Sequence, residues 1–132
     1  LNEDITPVVT VNMEGFDTHQ GSQFKLCGEL SSHLNVAMSN LDMGQTTILI
    51  ASDFDRTPKY NASAGTDHGL HGAVTLFGNG LNAGVHGTKG DYPGASGVNY
   101  RRRDVWATVL KIFGIDSRSY FKDAVDISEI LA

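Results

Sequence analysis

Aspartate and histidine recur in this 132-residue sequence at three places where they could share an ion. Asp17 and His19 lie two residues apart, Asp53 follows a second apolar run, and Asp67 stands beside His68 further on. In an extended loop, residues two apart project to the same side, so Asp17 and His19 could grip one ion together. Carboxylate with imidazole suits Zn²⁺ or a similar transition ion, whereas a site dominated by carboxylates would favour Mg²⁺, Mn²⁺ or Ca²⁺. Spacing alone does not separate metal binding from turn capping, a frequent role of Asp in loops.

Other residues around these clusters carry two readings each. The Arg56 guanidinium could take a phosphate or sulfate oxygen pair in fork geometry, or pair structurally with a carboxylate such as Asp53 or Asp67. His71, three residues past His68, could act as a spare or outer ligand, or simply make a loop hydrogen bond. Ser52 and Thr57 read as turn hydroxyls rather than nucleophiles. His33 reads as a half-exposed helix histidine, and His86 as a strand-edge residue outside the site.

The elements that must position these groups follow from hydrophobic periodicity. Pro7 to Met13 (PVVTVNM) and Thr46 to Ala51 (TTILIA) are β-branched apolar runs, as in strands covered on both faces. Between them Phe24, Cys27, Leu30, Leu34, Ala37, Met38 and Leu41 recur at three- and four-residue spacing, which predicts a helix over 22–41 with Cys27 as a small buried thiol. Strand, helix and strand make a right-handed βαβ unit with parallel strands. Ligands in such sheets bind beyond the carboxyl ends of the strands, where the three clusters would converge. A long Gly-, Asn- and Ser-rich stretch runs from 52 to 72, then a short apolar run from 73 to 77. A second helix is predicted over 102–113, with Val105, Trp106, Val109, Leu110 and Phe113 on its apolar face and Gly114 as its stop. The tail from Tyr120 to Ala132 should be a short strand or helix closing an edge.

Bulk properties bound the partners. The chain is 40% hydrophobic and 19% charged, with a formal net charge of -5 and a pI of about 5.4. That balance argues against nucleic acid or an anionic membrane surface as partner, because both need a basic face. Arg101-Arg102-Arg103 is the one concentrated basic run and reads as a solvated first turn. A single cysteine leaves the redox compartment undetermined, and no run approaches a membrane span.

Gly15-Phe16-Asp17-Thr18-His19, Ser52-Asp53-Phe54-Asp55-Arg56-Thr57 and Gly65-Thr66-Asp67-His68-Gly69 resemble, in order and spacing, three successive motifs of the bacterial domain of unknown function 1501. That family is grouped with the alkaline phosphatase and sulfatase superfamily. The resemblance implies an α/β fold of three layers, a mostly parallel sheet with flanking helices. Residues 1–132 would form the C-terminal part of one such domain, with its N-terminal part or another chain covering the sheet edge. It implies a divalent ion held by Asp17, His19 and His68, and it puts Asp53 at a metal-ligand position of a second site; Zn²⁺ suits the donor set first, and Asp67 and His71 are the candidates for outer positions. Phe54 stands where the superfamily has a second-site His, Asp55 where the family usually has Gly, and the superfamily's nucleophile lies upstream of this chain. The implied activity is hydrolysis of small anionic phosphate or sulfate esters in a periplasmic or extracellular protein. The competing reading is a non-catalytic exported surface or matrix protein that keeps the fold.

Overall fold

A computed structural model describes residues 8–21, 23–69, 72–87 and 100–132. Helix α1 spans Gln23–Asn40, strand β1 Thr47–Ala51, strand β2 Val74–Gly78 and helix α2 Arg102–Ile112. Short 3-10 turns follow at Ser117–Ser119 and Ser128–Ile130. The two strands pair antiparallel in a two-stranded sheet, so the described architecture is a small mixed α/β arrangement with two helices. The chain divides into two compact units, one of residues 1–42 and 50–75, the other of residues 43–49 and 76–132.

The expected first strand does not form among the described residues. Val8 to Met13 carry no ladder, and Val8, Val9 and Val11 are strongly exposed, while Pro7 lies outside the described residues. A β-branched run favours a pleated, half-buried surface, but it becomes a strand only where a neighbour supplies hydrogen bonds. The parallel βαβ unit expected of 7–13 and 46–51 is therefore not found there. The partner of β1 is instead the 73–77 run, and the long stretch between β1 and β2 is the connection of an antiparallel pair.

In the first unit α1 appears where the periodicity predicts it, with a shifted face. Leu26, Leu30, Leu34 and Ala37 are half-buried, whereas Phe24, Met38 and Leu41 are exposed and no α1 residue is fully buried. Cys27 is exposed rather than buried, one step around the helix from that stripe.

In the second unit α2 ends at Gly114, which adopts φ +71. The Gly114 N–H donates to Lys111 O and the Ile115 N–H to Leu110 O, the paired closure that an αL glycine permits. The buried face of α2 is Asp104, Ala107 and Thr108, not the larger apolar residues: Trp106 and Phe113 are about half exposed. Ile127 and Ile130 of the tail complete the core. The Thr108 hydroxyl donates to Asp104 O and accepts from the Ile127 N–H, both at 2.8 Å. Asp104 accepts from the Arg101 N–H at 2.8 Å, from the Arg101 guanidinium at 2.9 and 3.1 Å, and from the Val125 N–H at 3.0 Å. This chiefly Arg101-based pairing holds the Asp104 carboxyl down to about 2, against partial desolvation. Arg103 pairs with Asp123, so the basic run forms an exposed first turn tied to the tail by ion pairs.

Candidate functional site

The site lies wholly within the first unit. Asp17 and His19 are exposed and Thr18 between them is half-buried, in a loop that turns back at the Thr18 N–H, which donates to Phe16 O at 2.9 Å. Thr18 Oγ1 is buried without a hydrogen-bond partner among the described residues. His68 comes from the far end of the β1–β2 connection, 49 residues on from His19 by number. Despite that separation, His68 Nε2 lies 2.7 Å from Asp17 Oδ1, and His19 Nδ1 lies 3.6 Å from the same oxygen. One donor atom from each of Asp17, His19 and His68 falls within 4.8 Å of the other two, and all three residues are exposed.

Hydrogen bonds between loops bring these groups together. Isolated antiparallel bridges join Gln20 to Ala64 and Arg56 to His68. The Arg56 guanidinium donates to Phe16 O at 2.6 Å, to Thr66 O at 3.0 Å and to Asp17 Oδ1 at 3.4 Å. Its side chain is only 20% exposed, so it ties the Asp17 loop to the His68 loop from beneath. Gln23 at the start of α1 donates to the buried Thr66 hydroxyl at 2.6 Å. Thr57 Oγ1 accepts from the Asp67 N–H and donates to Lys59 O, a turn role.

Close approach requires one glycine and crowds a second. A Cβ on Gly65 would overlap the His19 carbonyl, and a Cβ on Gly69 would overlap the Asp55 carboxylate. The Gly69 N–H donates to Asp55 O at 2.6 Å, which fixes that approach. These backbone contacts bring the His19 and His68 segments side by side.

The electrostatics favour an ionised acid. The His68 hydrogen bond, helped by the nearby His68, His19 and Arg56 charges and opposed by desolvation, lowers the Asp17 carboxyl below its ordinary value. The His68 ring stacks on Phe54 with centroids 3.8 Å apart and planes 14° apart, and sits 4.9 Å from the His19 ring. Phe54 thus fixes the plane of His68 while offering no donor atom. Arg56 also lies over the Phe54 ring at 5.0 Å.

Of the other residues singled out from sequence, Asp53 is exposed and does not join the three-residue group. Asp67 is exposed, and its carboxylate accepts from Asn61 at 2.9 Å. His71 lies outside the described residues. Asn61 carried no signal in the sequence beyond being one more polar loop residue, yet its side chain reaches His19 O, Asp67 Oδ1 and the N–H groups of Ser63 and Gly65.

No helix among the described residues is long and apolar enough to cross a membrane. No curated protein and no solved structure matches the chain. The profile of the family described as "Protein of unknown function (DUF1501)" matches residues 1–129, almost the full sequence, and the chain belongs to that family.

Proposed function

We propose that Asp17, His19 and His68 hold one divalent ion, Zn²⁺ before Mg²⁺, Mn²⁺ or Ca²⁺, in a site for hydrolysis of phosphate or sulfate esters. The observation that carries this reading is the convergence of one carboxylate and two imidazoles, from segments some 50 residues apart, within 4.8 Å on an exposed surface. The donor set fits: a tetrahedral ion with bonds of roughly 2.1 Å separates its ligand atoms by roughly 3.4 Å. The Asp17 to His19 separation of 3.6 Å is of that size, and Asp17 would exchange its His68 hydrogen bond for the ion. Such an ion, once bound, polarises an ester oxygen or lowers the pKa of a bound water.

The chain's own residues do the rest. Arg56 holds the two loops at one spacing, Phe54 keeps the His68 ring from rotating, and the exposed face of the three donors leaves room for an anionic substrate. Phe54 supplies no ligand beside Asp53, so the proposal holds one ion and not two. The localisation that accompanies this reading is periplasmic or extracellular.

A second reading, an exported surface or matrix protein that keeps an ion site without catalysis, is favoured by the same Arg56 contacts. Its guanidinium is engaged with Phe16 O, Thr66 O and Asp17 rather than held open for a substrate.

Metal content of the purified protein by X-ray fluorescence, with Zn²⁺ titration of wild type and His68→Ala, tests the ion. One ion per chain and an affinity loss of at least about 100-fold are expected, the upper end of what losing even an outer partner costs. Unchanged affinity in His68→Ala would remove the site. Turnover of aryl phosphate and aryl sulfate esters by the zinc-loaded protein then separates the hydrolase from the non-catalytic reading.

A further inference from the structure

We infer that Asn61 is a positioning residue for the Asp17, His19 and His68 group, setting the spacing of the two histidine loops through its side-chain amide; the inference rests on the metal-site reading. A carboxamide has two N–H donors and an oxygen that accepts twice. All four capacities are filled here. Nδ2 donates to His19 O at 3.2 Å and to Asp67 Oδ1 at 2.9 Å. Oδ1 accepts from the Ser63 N–H at 2.9 Å and from the Gly65 N–H at 3.1 Å. The orientation of the amide follows from these partners, because a flipped amide would set N–H against N–H and oxygen against oxygen at all four contacts.

The four bonds divide into two arms. The oxygen arm is local: with the Asn61 N–H to Gly65 O bond and the Ala64 N–H to Asn61 O bond, it closes the turn that begins the His68 segment. The nitrogen arm links the His19 loop to the His68 segment: one bond crosses to His19 O and the other stays within the His68 segment, at Asp67. One N–H reaches the carbonyl of a proposed ligand, His19, and the other reaches the residue next to a second ligand, His68. A shift of this amide therefore moves the two imidazoles relative to each other, and His19 and His68 are each within direct reach of Asp17. The Arg56 guanidinium ties the same two loops through Phe16 and Thr66 and the Arg56 backbone bridges His68, whereas Asn61 reaches the His19 carbonyl itself.

Asn61→Asp separates the arms, since an aspartate keeps the oxygen that closes the local turn and replaces both N–H donors by an acceptor facing the His19 carbonyl and the Asp67 carboxylate. The protein is read in two ways: imidazole ¹⁵N and ¹H resonances of His19 and His68 without metal, and Co²⁺ titration followed by visible absorption. Expected are displaced resonances for both rings, Co²⁺ affinity lowered 10- to 100-fold, and an altered absorption envelope. Unmoved resonances overturn the inference, as does a Co²⁺ affinity equal to wild type. If wild type binds no Co²⁺ while the rings still move in Asn61→Asp, the metal reading fails and the positioning role stands. Should Asn61→Asp fail to fold, Asp67→Ala, which removes only the carboxylate that orients the amide, gives the same readings with a smaller displacement; no displacement there overturns the inference.

Discussion

Asp17 and Asp104 are both carboxylates facing basic side chains, but the Asp104 side chain is 6% exposed and that of Asp17 is 64% exposed. Around Asp104 the acceptor sites are filled by Arg101 and by two backbone N–H groups, and the result is a closed joint between α2 and the tail. Around Asp17 the partners are two imidazoles and an arginine grouped on one oxygen, all contributed by loops. A buried pair of the first kind holds a fold, because losing one partner strands a charge away from water. An exposed cluster of the second kind adds little stability. On the proposed reading, Arg56, Asn61 and two close-packed glycines hold this cluster for an ion rather than for stability.

Substitutions should expose this contrast, with the largest effect in the second unit. Asp104→Ala leaves the Arg101 and Val125 N–H groups without their acceptor, while the half-exposed Arg101 guanidinium keeps Asp123, and it should cost about 3 kcal/mol in urea unfolding. A cost below about 1 kcal/mol would mean that the joint is not a buried pair. Gly65→Ala sets a methyl group against the His19 backbone and should cost about 2 kcal/mol, with the Zn²⁺ affinity falling as well. Acid unfolding supplies the third test. The Asp104 carboxyl is lowered from 3.8 to about 2, so its contribution is complete above pH 4 and is lost as the pH falls toward 2. In Asp104→Asn that part of the acid dependence should vanish, and a wild-type acid limb in the variant would contradict it. The smallest stability effects belong to the exposed cluster: His19→Ala and His68→Ala should change the unfolding free energy by less than about 0.5 kcal/mol. In both, the whole loss should appear in metal affinity.

Part of this contrast was legible in the sequence and part was not. Helix α1, strand β1, helix α2 and the Gly114 stop follow from apolar spacing and a glycine that can take positive φ. The Val8 to Met13 run misled, because β-branched composition describes the surface a strand would suit and says nothing of whether a neighbour is there to pair with it. On α2 the large apolar residues drew attention away from Asp104 and Thr108, whose burial depends on tail N–H groups some twenty residues distant. The sequence did contain a signal: an acid three residues after Arg101 reaches back to that residue's N–H, as in half of a capping box. Asp17, His19 and His68 stand out by type and spacing. Asn61 does not, since its four partners are named only once the loops are folded against each other.

Asp55 and Gly69 carry a consequence for what each position tolerates. The resemblance to the wider family placed a glycine where this chain has Asp55, and a side chain at 69 would overlap that carboxylate. The two side chains therefore compete for one space: a methyl group at 69 must displace the Asp55 carboxylate, and it still meets the Asp55 carbonyl carbon at 3.2 Å. A double-mutant cycle of Asp55→Gly and Gly69→Ala measures this directly, with a coupling of about 1 kcal/mol or more expected and additive costs counting against it.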